Sequence, residues 1–76
     1  MQKEKINLLS GVNAGETVMV KAVKGGKGVV HRMNAMGIIA GTNIKLIRKS
    51  GGPYIIEARG SRVAIGKGMV SKIEVV

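Results

Sequence analysis

The sequence predicts a mainly β fold, a small barrel of about five short strands with one short helix after the first strand. Three observations carry this. Apolar residues make up 45% of the 76-residue chain, yet it has no Phe and no Trp, and Tyr54 is its one aromatic ring of the Phe, Tyr and Trp class. Val, Ile, Leu and Met must therefore fill the core, and Val and Ile suit pleated strands. Short runs alternate apolar and polar side chains at a period of two. Glycine turns separate those runs, and closing the sheet hides edges that so small a protein could not otherwise protect.

The elements follow in order. Residues 17–24 place Val18, Val20 and Ala22 on one face and Met19, Lys21 and Val23 on the other, which is a strand. Lys24-Gly25-Gly26-Lys27-Gly28 breaks it, and Val29, Val30, Met33 and Met36 then recur at near-helical spacing until Gly37 stops the pattern. About two and a half turns of helix result, too short to be stable alone. The Val29/Met33/Met36 stripe must therefore pack on the sheet. Residues 38–41 turn the chain, and 42–48 alternate again, with Ile44 and Leu46 on one face and Asn43, Lys45 and Ile47 on the other. Ser50-Gly51-Gly52-Pro53 is a turn signal, after which Tyr54, Ile56 and Ala58 alternate with Ile55, Glu57 and Arg59. Gly60-Ser61 turns once more; Val63 and Ile65 share a face of a short strand, residues 66–70 form a turn or 3₁₀ segment, and Ile73 and Val75 belong to a last strand. Val23, Ile47 and Ile55 are left facing outward, and scattered exposed aliphatics of this kind assign no oligomeric state.

The chain reads as one domain over residues 1–76, small enough to bury only about 60% of the surface exposed when unfolded. Absence of cysteine excludes disulfides and Cys-ligated zinc and points to a reducing, cytoplasmic setting. No apolar run approaches the roughly 18 residues of a membrane span, and no export signal is visible. Thirteen Lys and Arg against four Asp and Glu give a net charge of +9, which attracts an acidic protein surface, a phosphate backbone or an anionic leaflet. The cations run from Lys3 to Lys72 without a block, so the charge belongs to a folded surface rather than a basic tail.

Chemical sites are scarce. His31, Met33 and Met36 are the one candidate soft-ligand cluster, but on a helix residues 31 and 33 point to nearly opposite sides, so no metal site is expected. Isolated Glu4, Glu16, Glu57 and Glu74, one histidine and no cysteine leave no acid/base pair or activated nucleophile, so no catalysis and no cofactor are expected. Residues 60–67 superficially resemble a P-loop, but five residues separate Gly60 from Gly66 where that motif has four, and Gly68 stands where Ser or Thr should hold magnesium. Gly25-Gly26-Lys27-Gly28 has the spacing of the backbone-clamping loop of KH domains and leads into a helix N-terminus. That loop joins two helices, however, whereas this one follows a strand, and a strand-to-helix turn is the simpler reading.

Order and spacing across nearly the whole chain from Leu8 carry a family resemblance. The run Arg32-Met33-Asn34-Ala35-Met36-Gly37-Ile38-Ile39-Ala40-Gly41, then Gly52-Pro53 with Ile55-Ile56, then Gly60 through Ile65, and finally Met69 with Ile73-Glu74-Val75, resembles the FeoA family. Met33 and Met36 replace commoner leucines, and Ala40 stands where proline is frequent; these swaps keep apolar volume. Ala35 occupies a position where many relatives carry a charge. The resemblance implies an SH3-like barrel and a non-enzymatic cytoplasmic accessory of ferrous-iron uptake acting on the FeoB membrane transporter. The basic face would dock on an acidic cytoplasmic surface of that transporter, with anionic lipid headgroups adding attraction. Lys24, Lys27, Arg32, Lys45 and Arg48, around the strand-to-helix loop and the next strand, are the candidate contacts.

Two other classes remain as alternatives. One is a stand-alone relative of the C-terminal SH3-like domain of metal-dependent repressors, against which stand the missing helix-turn-helix and the shortage of acids, Glu57 being the one mid-chain. The other is a nucleic-acid-binding barrel of KOW type, favoured by the charge and disfavoured by the lack of an aromatic stacking platform.

Overall fold

The computed structural model describes residues 6–76. Chain order is β1 (Asn7–Leu8), a 3₁₀ turn (Leu9–Gly11), β2 (Thr17–Val23), α1 (Lys27–Ala35), β3 (Asn43–Arg48), β4 (Tyr54–Ala58), β5 (Ser61–Ile65), α2 (Lys67–Val70) and β6 (Ile73–Val75). The strands form one antiparallel sheet in the order β1-β6-β2-β3-β4-β5. β2 is shared: Thr17 to Met19 pair with β3, and Val20 to Val23 pair with β6. Through β2 the sheet curls round one hydrophobic core, to which every strand from β2 to β6 contributes.

The alternation expected for β3 and β4 is observed, with Ile44, Leu46, Tyr54, Ile56 and Ala58 all buried. Six strands occur rather than about five. The extra one, β1, is two exposed residues long, too short to show a period. The face assignment in β2 needs correction. Val20 pairs with Val75 and Ala22 with Glu74, so Lys21 is an inserted bulge residue. A bulge advances the side-chain phase by one, and Val23, not Ala22, therefore packs against the core with Val18. A second bulge at Ile47, between the pairs Leu46↔Ile56 and Arg48↔Ile55, interrupts β3 in the same way. Within residues 66–70, expected as a turn or 3₁₀ segment, Lys67–Val70 forms a single α-helical turn that buries Val70.

Helix α1 lays Met33 into the core, with Val29 and Met36 packed beside it, as the stripe predicted. Its C-terminus is a Schellman motif: Gly37 N donates to Asn34 O (3.0 Å) and Ile38 N to Met33 O (2.9 Å). Gly37 has φ +90, and a Cβ there would lie 3.6 Å from both Ala58 Cβ and Arg59 Cδ. Those are ordinary contact distances, so it is the left-handed cap, and not the approach of the β4–β5 turn, that favours glycine here. That turn is a two-residue type I′ connection, with Arg59 at φ 54 and Gly60 at φ 82. Arg59 is the sole non-glycine with positive φ among the described residues.

Candidate functional site

The chemistry-bearing residues are dispersed. His31 is exposed on α1, Met33 is buried and Met36 half-buried, so the three do not converge. Among the described residues no group of three or more His, Cys, Asp or Glu could hold a metal ion, no pocket is found, and no helix is long and apolar enough to cross a membrane. Tyr54 is 7% exposed and points into the core, which removes the chain's one aromatic platform from the surface.

The basic residues are what the surface offers, and the fold divides the five candidates. Lys24 and Lys27 lie at the end of β2 and the start of α1, both exposed. Gly26 caps the helix without a side-chain bond, and its first turn holds no acid. The positive end of the helix dipole therefore adds to these lysines. Arg32 sits in the last helical turn, where a cation complements the opposite end of the dipole. It is about 140° around the helix from Lys27, on the other flank of the buried stripe.

Lys45 and Arg48 lie elsewhere. Lys45 pairs with Thr17 at the start of β2, whereas Lys24 follows its end, so the length of β2 separates them, about 20 Å of backbone. Across the outer face Lys45 stands opposite Glu57, and Glu57 opposite Arg62, so this end of the basic surface is interrupted by a carboxylate. Arg48 donates from Nε to Ser50 O at 3.4 Å.

Pairing of β2 with β6 brings in a lysine that the linear sequence did not single out. Lys24 N donates to Lys72 O (2.7 Å), which sets exposed Lys72 beside Lys24. The only signal for it is the strand register, which is nonlocal. Glu74 on β6 provides the local counter-charge, with Oε1 at 4.0 Å from Lys24 Nζ. The Lys24 side chain remains 64% exposed, so this pair is weak and solvent-screened. Lys24, Lys27 and Lys72 thus form a basic end of the molecule, where Glu74 faces Lys24.

Comparison with known proteins gives the family and fold of the chain. The FeoA domain family model matches residues 7–76. A Methanocaldococcus jannaschii relative, provisionally named Fe(2+) transport protein A, is 43% identical over 67 residues, covering 88% of this chain and 82% of its own. A crystal structure of the iron uptake regulatory protein FeoA superposes with a TM-score of 0.87 at 32% identity, covering 96% of this chain and 97% of that one. The zinc complex of Stenotrophomonas maltophilia FeoA, described as an SH3 domain protein, has a TM-score of 0.79 at 16% identity, with 92% and 89% covered. A manganese-dependent transcriptional repressor also matches, with a TM-score of 0.87 at 15% identity over 99% of this chain and 43% of the repressor. These last two likenesses show the fold alone, an SH3-like barrel.

Proposed function

Because the chain belongs to the FeoA family, we propose that it is a cytoplasmic accessory of ferrous-iron uptake, without chemistry of its own, that docks on the cytoplasmic region of a FeoB-type transporter. The observation that carries this reading is the basic end at Lys24, Lys27 and Lys72, where three exposed lysines adjoin the uncapped start of α1 and Glu74 lies 4.0 Å from Lys24. Such a surface complements an acidic protein patch, speeding encounter and selecting the partner. Arg32, Lys45 and Arg48 lie outside this end, and their contribution is correspondingly smaller.

Retention of the protein by the purified cytoplasmic region of the transporter tests the reading. Charge reversal at Lys24 and Lys27 together should weaken retention by about tenfold or more, from the loss of several steering charges, whereas reversal at Lys45 and Arg48 should change it little. Equal losses from both pairs would move the contact away from this end, and absence of retention by the wild type would refute docking itself.

A further inference from the structure

The outer face of the β1-β6-β2 part of the sheet carries an apolar patch. Ile6 and Leu8, at 50% and 40%, are the exposed large hydrophobic side chains among the described residues. Leu8 stands opposite Glu74 and Glu74 opposite Ala22, on the face away from buried Ile73 and Val75. Extending that register by one residue sets Ile6 against Val76. Val76 and Met19 exchange both backbone hydrogen bonds (2.9 and 3.0 Å), so Ile6, Val76 and Met19 form the adjoining row. Met19, Ala22 and Val76 are each partly exposed. Two exposed aliphatics and three partly exposed neighbours from three strands are thus contiguous, unlike the isolated aliphatics expected on any surface.

The charge around this patch says what it fits. Glu74, inside it, has the Lys24 ammonium at 4.0 Å, and exposed Lys72 adjoins Lys24. In the sequence the segment Lys3-Glu4-Lys5, of net charge +1, precedes Ile6. We propose that this face lies on an anionic membrane surface, with Ile6 and Leu8 entering the boundary between headgroups and acyl chains and Lys24 and Lys72 meeting the phosphates. A second copy is the poorer occupant, because two chains of +9 repel. A patch of this size is also small against the roughly 1,000 Å² of a stable protein interface, yet shallow apolar insertion and lysine attraction add on an anionic leaflet. The inference shares Lys24 and Lys72 with the docking proposed above but concerns lipid and not the transporter, so it is tested with the transporter absent.

Sedimentation with transporter-free vesicles of phosphatidylcholine, with or without phosphatidylglycerol, tests it. The wild type should bind the phosphatidylglycerol vesicles at least tenfold more tightly than the pure phosphatidylcholine ones. Neutralising Lys24 or Lys72 should each cost about fivefold, and I6S/L8S should cost about tenfold or more with an unchanged melting midpoint. Since the chain has no Trp, Leu8→Trp supplies a single probe whose emission should shift to the blue and be quenched by brominated acyl chains. Absence of anionic vesicle binding, I6S/L8S binding like the wild type, or an unquenched probe would each overturn the proposal. Loss of transporter retention or of self-association in I6S/L8S, without vesicle binding, would assign the face to a protein partner or a second copy instead.

Discussion

Lys49 Nζ donates a 2.9 Å hydrogen bond to the carbonyl oxygen of Val12, across 37 positions of sequence. Lys49 is half-buried and Val12 is buried, so this cation is withdrawn from the basic surface and ties the end of β3 to the segment that leads into β2. Hydrogen bonds to charged groups contribute more than neutral ones. Lys49→Ala should lower stability by about 1 to 2 kcal/mol, read as a lower urea midpoint. Lys27→Ala, at an exposed position, should change it by less than about 0.5 kcal/mol.

Docking of α1 depends on Met33, which is 2% exposed in the core. Met33→Ala should cost about 2 to 5 kcal/mol, a large part of the total stability of a domain this small. Met33→Leu, close in volume, should cost less than about 1.5 kcal/mol. Gly37→Ala meets ordinary contact distances but keeps φ +90, and the backbone strain should cost about 1 kcal/mol or more. Thermal or urea unfolding of the three variants checks the ranking.

Glu74 lies 4.0 Å from Lys24 and offsets part of the charge at the basic end. Glu74→Gln should strengthen retention by an acidic partner severalfold, while changing stability by no more than about 1 kcal/mol, since the long pair has its lysine largely in solvent. Weaker retention would mean that Glu74 itself contacts the partner.

Nucleic-acid binding should be weak, because the ring that would stack on bases is in the core at Tyr54. Fluorescence anisotropy with single-stranded and duplex DNA should show feeble association at about 50 mM salt that vanishes by about 200 mM, as phosphate attraction does. Tight binding that persists at the higher salt would restore the KOW-type reading.

Much of the barrel was legible from local pattern. The alternation of Ile44 with Leu46 and of Tyr54 with Ile56 and Ala58 marked two central strands, and Gly37 marked the helix end, because side-chain phase and backbone sterics act within a few residues. The two bulges were not legible. Lys21 and Ile47 look like ordinary strand residues, and only pairing with β6 and β4 reveals that each is the inserted one. β1 was missed because it is a strand only by virtue of β6.

The same division holds for function. By itself the sequence determined a basic, cysteine-free, mainly β chain with the residue order of the FeoA family, since charge and composition are properties of the chain and not of its folding. Only the tertiary structure decided which cations share a surface. It set Lys72 beside Lys24, put the length of β2 between Lys24 and Lys45, took Lys49 into a structural bond, and assembled the Ile6, Leu8, Met19 and Val76 patch from three strands. Strand register brings distant residues together, and register is fixed by the burial of one whole face at once rather than by any short stretch of sequence.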